Sequence, residues 1–297
     1  MLEGVITPIV TLFDKQGYVD YDAESHLVEY LLSKGINGIL FMGSTGEFPY
    51  LSMDERKEFI DFAVKQVNHR VKVLVGTGST YGRESLELTQ YASKTGADYA
   101  MVITPYYFNY EDDTYYRYYE FLANNSDIPI MIYNYPALTG YCITPGIFKN
   151  IIEHIPAVVG IKDTIDSLSH IRAIIDVAQS VQRGVHVFCG FDDYLLPTLS
   201  LGGSGVIGGI SNFAPDVLVG LYKEYRNGNI TGIERQNRTL SHLMKLYGLW
   251  RPGSTVIKEA LLAANIISED NMADRIPAGR MPYDKLYELK TILRTYL

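Results

Sequence analysis

The chain has 297 residues, of which 47% are hydrophobic and 20% are charged, enough apolar material to bury a large core in one or two domains. Its net charge of −8 argues against a nucleic-acid partner or an anionic membrane surface, because either would favour a basic face. The two cysteines, Cys142 and Cys189, form no CxxC motif and no disulfide framework. We therefore expect a globular, cytoplasmic protein with no nucleic-acid or membrane partner.

The N-terminal segment MLEGVITPIVTLF lacks a basic region, and we interpret it as a first strand and not as a signal peptide. No apolar run approaches the ~20 residues that a membrane-spanning helix needs. Short runs rich in Val, Ile and aromatic residues recur along the chain: GVITPIV (4–10), GILFMG (38–43), KVLVGTG (72–78), YAMVITP (99–105), IPIMIYN (128–134), VVGIKDT (158–164), VHVFCG (185–190) and GVIGG (205–209). Such continuous apolar runs are typical of parallel strands buried on both faces.

The segments between these runs have helical periodicity and recognisable helix starts. Ser52 followed by Glu55 predicts a capping box, and Thr144 before Pro145 predicts a helix cap followed by proline in the first turn. The plan is therefore a βα unit repeated eight times. An open doubly wound sheet would alternate in the same way. Eight units within about 215 residues, without GxGxxG after the first strand, favour closure into an α/β (β/α)8 TIM barrel.

After residue 210 the strand pattern stops and four amphipathic helices are predicted. They are PDVLVGLYKEYRNG (215–228), NITGIERQNRTLSHLMKLYG (229–248), STVIKEALLAAN (254–265) and PYDKLYELKTILRTYL (282–297). Only the first need belong to the eighth βα unit. We predict a barrel over residues 1–228 and a C-terminal helical extension over residues 229–297, packed on the barrel or on a neighbouring subunit. No linker separates them, so we expect a single structural unit.

Function in such a barrel is expected at the carboxyl ends of the strands. Lys162 directly follows the apolar run Val158–Ile161, and burial would lower its pKa and leave an amine able to attack a ketone. The alternatives are a lysine that reaches solvent and one that pairs with Asp163. Tyr133 ends the fifth strand, where a phenol could move protons to and from a substrate hydroxyl. The alternative there is a hydrogen-bonded core tyrosine.

The loop Gly43-Ser44-Thr45-Gly46-Glu47 follows the second strand. Its glycines let the backbone approach a ligand, and its N–H groups and hydroxyls make a cradle suited to one carboxylate. It lacks the lysine and the length of a P-loop, so nucleotide binding is not expected. A plain turn with an exposed Glu47 is the alternative. The six histidines form neither an i, i+4 pair nor HExxH, so no metal site is predicted.

Five motifs occur in one order over nearly the whole chain: GSTGE (43–47), TPYY (104–107), YNYPALTG (133–140), GIKDT (160–164) and GFDD (190–193). With them the sequence resembles the superfamily of N-acetylneuraminate lyase and dihydrodipicolinate synthase, which are class I (Schiff-base) aldolases. The resemblance implies that Lys162 forms an imine with a 2-keto acid and that Tyr133 is the acid and base. It also implies that Ser44 and Thr45 hold the pyruvoyl carboxylate and relay protons. Tyr107 matches a family tyrosine donated across a subunit interface, and a homotetramer built as a dimer of dimers is expected.

Within the superfamily, the synthase branch has an arginine two residues after the proline of Y-N-x-P, whereas this chain has Leu138. An arginine can bind a substrate carboxylate through two hydrogen bonds, and its absence here argues against the synthase reaction. The stretch GIKDTIDSLSHIR, with GSTGEF, FCGFDD and VIKEA, most resembles the 2-keto-3-deoxygluconate aldolase branch. Asp192 and Asp193 would then accept hydrogen bonds from the polyol tail. The other residues predicted to bind substrate are Gly43, Ser44, Thr45, Gly190 and Ile207.

The sequence therefore predicts a lyase that cleaves a 2-keto-3-deoxy sugar acid to pyruvate and an aldehyde. No metal or organic cofactor is expected, because an iminium would polarise the substrate as a metal does elsewhere. The alternatives are an N-acetylneuraminate lyase, a dihydrodipicolinate synthase-like enzyme that Leu138 disfavours, a dehydratase that shares the imine, and a catalytically silent sugar-acid-binding paralogue. The aldehyde half and a phosphate on the substrate are left open by the sequence.

Overall fold

Eight parallel strands close into a barrel in the computed structural model, which describes residues 2–296. Each strand pairs with the next along the chain, and the eighth pairs with the first. The strands are β1 (Gly4–Pro8), β2 (Gly38–Phe41), β3 (Lys72–Gly76), β4 (Tyr99–Ile103), β5 (Ile130–Asn134), β6 (Val158–Asp163), β7 (His186–Cys189) and β8 (Gly205–Ile207). The predicted (β/α)8 barrel is confirmed.

The helices surround this barrel and then continue beyond it. They are α1 (Tyr21–Ser33), α2 (Met53–Val67), α3 (Gly82–Thr95), α4 (Asp112–Asn124), α5 (Pro136–Thr139), α6 (Pro145–His154), α7 (Leu168–Ser180), α8 (Leu195–Ser200), α9 (Pro215–Arg226), α10 (Ile230–Leu243), α11 (Gly253–Ala263) and α12 (Tyr283–Tyr296). Short 3-10 turns cover residues 48–50, 192–194, 209–212, 244–248 and 269–271. Within residues 2–296 no helix is both long and apolar enough to cross a membrane.

Local sequence signals explain where these helices begin. Both hydrogen bonds of the predicted capping box are present in α2, because the Ser52 hydroxyl accepts from the Glu55 N–H and the Glu55 carboxylate accepts from the Ser52 N–H. The Thr144 hydroxyl accepts from the Ile147 N–H at 3.3 Å, with Pro145 in the first turn of α6. Both predicted helix starts are confirmed, and apolar side chains of these helices face the barrel.

Closure of the barrel depends on two glycines where β1 meets β8. Gly4 pairs with Gly205, and both adopt a positive φ, +92° and +147°. A Cβ on Gly205 would lie 2.0 Å from the carbonyl oxygen of Gly4. Only glycine therefore permits the close approach that joins the last strand to the first.

Three helices, α10 to α12, follow the last βα unit, as predicted for the extension. In α11 most of the side chains are buried, including the charged residues Lys258 and Glu259. A helix with a polar residue on its buried side needs polar partners there. The extension therefore contributes to the interior of the molecule, while its separation from the barrel at residues 228 and 229 stays a prediction.

Candidate active site

Lys162 and Tyr133 lie side by side at the carboxyl ends of β6 and β5, where they are register partners. The Lys162 Nζ is 4.2 Å from the centre of the Tyr133 ring, and the two residues are 3% and 4% exposed. The alternative of a lysine that reaches solvent is therefore wrong. Pairing with Asp163 is also wrong, because that carboxylate bonds to Asn134 and His170 instead. Asp163 follows Lys162 in β6, and adjacent residues of a strand point to opposite faces, so the two side chains point away from each other.

Burial determines the electrostatics of Lys162. It lowers the pKa of the amine to about 7, with Asp192 and Cys189 acting in the opposite direction. Removing an ammonium from water disfavours its charged form, and here no compensation restores the ordinary pKa. A substantial fraction of Lys162 is therefore neutral near pH 7 and can act as a nucleophile.

The Tyr133 hydroxyl donates a hydrogen bond to the Ser44 Oγ at 3.2 Å. Burial raises the pKa of Tyr133 to about 12, and the hydroxyls of Ser44 and Thr164 act in the opposite direction. The phenol is therefore protonated at neutral pH and is connected to the loop after β2. Thr45 lies half-buried next to Ser44, and its part in a proton relay stays a prediction. Thr164, beside the phenol, was not predicted, although it ends the GIKDT motif.

Contacts with α11 of the C-terminal extension hold the loop after β2 in place. Glu47 is 5% exposed, adopts a left-handed conformation with φ of 53° and forms an ion pair with Lys258 of α11. It also accepts a hydrogen bond from the Ser254 Oγ at 3.1 Å. The alternative of a plain turn with an exposed Glu47 is therefore wrong. The C-terminal extension holds the loop that carries Ser44 and Thr45.

A cavity of about 270 Å³ opens at the barrel mouth next to this loop. Ser44 and Ser254 line one part of it, and Tyr106 and Leu138 line another. Leu138 is 59% exposed, so an apolar side chain borders the cavity where the synthase branch has its arginine. The cavity therefore has the polar loop on one side and, on another side, an apolar wall that lacks this arginine.

Asp192 and Asp193 differ in position despite being neighbours. Asp192 is 1% exposed and accepts hydrogen bonds from the Ile210 N–H at 3.1 Å and from the Tyr247 hydroxyl at 3.4 Å. Burial raises the pKa of Asp192 to about 7. Asp193 is exposed, so it is the more accessible of the two to a sugar hydroxyl. Contact of either residue with a polyol stays a prediction.

Gly43, Gly190 and Ile207 were predicted to contact substrate, and the structure places each at a strand end. A Cβ on Gly190 would lie 1.8 Å from the Thr164 Oγ1, so glycine is needed for β7 to pass that residue. Gly43 is buried at the start of the loop after β2, and Ile207 is buried as the last residue of β8. Their contact with substrate stays a prediction.

Tyr107 stands apart from these residues. It is 86% exposed and adopts a positive φ of 82°, a conformation that is uncommon and costly for a non-glycine residue. Its ring packs on Phe108, with 5.0 Å between the ring centres. Within one chain, Tyr107 therefore lies outside the buried group that contains Lys162 and Tyr133.

Comparison with known proteins gives the class of this protein. It is 38% identical over 294 residues to a protein of Escherichia coli K12 named putative 2-dehydro-3-deoxy-D-gluconate aldolase YagE, with 99% of this chain and 97% of that protein covered. It is 35% identical to the probable 2-dehydro-3-deoxy-D-pentonate aldolase YjhH of the same organism, with 97% and 96% covered. With the barrel and its buried lysine, these relatives define a carbon–carbon lyase.

Two solved structures and a family model identify the family to which this lyase belongs. The crystal structure of YagE in complex with pyruvate has a TM-score of 0.96 and covers 100% of this chain and 99% of that one, at 38% identity. Dihydrodipicolinate synthase from Thermotoga maritima has a TM-score of 0.94 at 31% identity, with 100% and 99% covered. The model of the dihydrodipicolinate synthetase family matches residues 1–295, and the chain belongs to that family.

Proposed function

We propose that this lyase cleaves a 2-keto-3-deoxy sugar acid to pyruvate and an aldehyde through an imine on Lys162. The observation that carries the proposal is a buried lysine with a pKa of about 7, next to Tyr133 at the mouth of the barrel. The names of the two Escherichia coli relatives support this substrate class, and the pyruvate in the YagE crystal structure supports the shared keto-acid half.

In the first step the neutral amine of Lys162 attacks the keto carbon, and loss of water gives a protonated imine. The substrate carboxylate lies against the loop that carries Ser44 and Thr45, where hydroxyls and backbone N–H groups can donate to it. The new positive charge lies beside Tyr133. An adjacent cation favours the phenolate, so the pKa of Tyr133 falls from its resting value of about 12.

In the second step Tyr133 takes the proton of the C4 hydroxyl while the C3–C4 bond breaks. The bonding electrons pass into the iminium, giving an enamine, and the aldehyde leaves. The phenol can accept this proton only if its own proton moves on, and the Ser44 Oγ at 3.2 Å is the acceptor next to it. Protonation of the enamine at C3 and hydrolysis then release pyruvate and free Lys162.

We further propose that Thr45 and the Tyr107 of a neighbouring subunit continue this relay within a homotetramer. The support is an exposed aromatic cluster formed by Tyr107, Phe108 and Tyr110, which are 86%, 62% and 40% exposed. Exposed clusters of large aromatic residues favour protein interfaces. The cytoplasmic location and the independence from metal and organic cofactors belong to the same proposal.

Borohydride trapping tests the imine directly. Protein incubated with pyruvate and reduced with borohydride should gain a stable adduct that peptide mapping places on Lys162. The matched control is Lys162→Ala, which should gain none. An adduct on another lysine, or no adduct in the unmodified protein, would contradict the mechanism.

A substrate panel tests the finer assignment. We expect turnover of 2-keto-3-deoxygluconate or its pentonate analogue, with pyruvate and an aldehyde as products, in preference to sialic acid. The 6-phosphate in the same panel decides whether a phosphorylated substrate is accepted. The apolar wall at Leu138 disfavours the synthase reaction because no cation there receives a second carboxylate. A keto product without chain cleavage would identify the dehydratase instead.

A further inference from the structure

A connected group of polar side chains lies just outside the proposed active site. The Cys142 Sγ is 3.5 Å from the Nε2 of His170, whose Nδ1 is 2.9 Å from the Oδ2 of Asp163. The Oδ1 of Asp163 accepts a hydrogen bond from the Asn134 amide at 2.7 Å. Asn134 and Asp163 directly follow Tyr133 and Lys162 in sequence. The proposed function gives this group no role, and the inference below does not depend on that function.

The hydrogen-bond partners of His170 favour its protonated form. Its Nδ1 faces the carboxylate of Asp163, and its Nε2 is 3.1 Å from the carbonyl oxygen of Ile143. These two partners only accept hydrogen bonds, and the Cys142 sulfur is a third neighbour, 3.5 Å from Nε2. The hydrogen bonds to Asp163 and then to Cys142 raise the pKa of His170 to about 10. A cationic ring is therefore the favoured neighbour of the Cys142 sulfur near pH 7.

A cation beside a thiol favours the thiolate, which is the reactive form of cysteine. Cys142 is only partly buried. Cys189 provides the contrast within the same chain. It is fully buried, its thiol contacts the carbonyl oxygen of Gly205, and burial raises its pKa well above the ordinary range.

We propose that the His170 ring stabilises the anionic form in which the Cys142 sulfur reacts, and that Cys142 is the site at which small electrophiles modify this protein. With an alkyl halide, the sulfur–carbon bond forms as the carbon–halogen bond breaks, and the halide leaves. With a hydroperoxide, the sulfur–oxygen bond forms as the oxygen–oxygen bond breaks. The departing alkoxide takes the proton of His170, and the sulfur is oxidised to a sulfenic acid while the peroxide is reduced to an alcohol.

Three titratable groups lie around Cys142: His170 from α7 contacts its sulfur, Asp163 from β6 contacts His170, and Tyr141 is adjacent in sequence. Tyr141 donates to Asp112 of α4 at 2.7 Å, and burial together with that carboxylate raises its pKa above the ordinary range. Tyr141 therefore stays uncharged between pH 5.5 and 9. The rate of Cys142 alkylation over that range reports on the sulfur and on His170.

The test is alkylation of the full-length protein by iodoacetamide from pH 5.5 to pH 9, with mass spectrometry that follows each cysteine separately. Free N-acetylcysteine, a thiol without a charged neighbour, gives the reference rate at each pH. We expect Cys142 to be alkylated at least roughly tenfold faster than N-acetylcysteine at pH 6 to 7, because the His170 ring lies 3.5 Å from its sulfur. Cys189 should stay unlabelled.

His170→Gln keeps a hydrogen-bonding side chain but removes the charge, so the alkylation rate at Cys142 should fall to that of an ordinary thiol or below. A rate at Cys142 no higher than that of N-acetylcysteine in the unmodified protein would overturn the proposal. An unchanged rate at Cys142 in His170→Gln would overturn it equally. Labelling of Cys189 reports unfolding of the variant, and in that case the profile of the unmodified protein decides alone.

Discussion

Two lysines of this molecule are almost completely buried, but their surroundings differ. Lys162 is 3% exposed and Lys258 is 1% exposed, and each has its Nζ over an aromatic ring, at 4.2 Å from Tyr133 and 4.7 Å from Phe13. Lys258 forms an ion pair with Glu47. Near Lys162 the carboxylate is Asp192, which accepts its hydrogen bonds from other groups.

The difference between these two lysines shows how a carboxylate in direct contact changes the behaviour of a buried amine. Burial without such a contact lowers the pKa of an amine and leaves it available for chemistry. Burial with a contact gives an ion pair whose removal on one side leaves an uncompensated charge. The same residue type is therefore the proposed nucleophile at the end of β6 and one half of an ion pair in α11.

The largest expected effect comes from Lys162→Met. Activity should fall by roughly 10⁴-fold or more, the scale of loss when a covalent nucleophile is removed. The stability of the fold should be equal or higher, because an unpaired amine leaves the interior and a side chain of similar length replaces it. Steady-state kinetics and urea denaturation measure the two quantities. A folded variant that keeps more than trace activity would contradict the role of Lys162.

Tyr133→Phe sharpens the comparison by removing only the hydroxyl beside Lys162. We expect kcat to fall by about 10² to 10⁴, the usual contribution of a general acid or base. Borohydride should still trap pyruvate on Lys162, since the amine keeps its burial and its aromatic neighbour. Loss of trapping together with loss of turnover would show that the tyrosine acts in imine formation and not in cleavage.

Lys258→Met should lower the stability of the fold, whereas Lys162→Met should keep or raise it. Leaving Glu47 buried without its partner should lower the free energy of unfolding by about 3 to 5 kcal/mol. The KM for substrate should rise, because Glu47 holds the loop that carries Ser44. The double variant Glu47→Gln with Lys258→Met should recover part of the stability, which urea denaturation of the three variants would measure as a coupling energy. Equal losses in the single and double variants would contradict the ion pair's importance.

The pH dependence of imine formation has the smallest expected effect. Burial lowers the pKa of Lys162 to about 7 from the ordinary 10.5. The trapping rate at low pyruvate concentration should therefore rise about tenfold per pH unit below 7 and level off above it. Between those pKa values the unfolded chain binds the extra proton, so this lysine makes stability rise with pH over that window. Lys162→Met should lose that rise, and a rate still climbing at pH 9 would contradict the lowered pKa.

The sequence was most informative along the strands. Apolar runs predicted all eight, and the strand-end positions brought Lys162 and Tyr133 together as register partners. Most predicted strands ended one or two residues later than the observed ones, as in β1 and β2. Residues there leave the hydrogen-bonded ladder but stay buried at the barrel mouth, so an apolar pattern cannot mark the end of pairing.

Contacts between distant segments could not be predicted. Glu47 and Lys258 are 211 positions apart, and their pairing depends on where α11 packs. The same holds for two other pairs. Asp192 and Tyr247 are 55 positions apart, and Cys142 and His170 are 28 positions apart. No local pattern distinguishes a buried charged residue with a partner from an exposed one, since only the assembled fold supplies the partner.

The ion pair between Glu47 and Lys258 also has a consequence for synthesis of the chain. At about 5 to 20 residues per second, the ribosome adds Lys258 some 10 to 40 s after Glu47, since 211 positions separate them. Throughout that interval the early strands can pair, but the loop beside the proposed catalytic group lacks its anchor. The nascent barrel therefore carries an unneutralised carboxylate near its mouth, and the loop after β2 is among the last parts of the protein to become rigid.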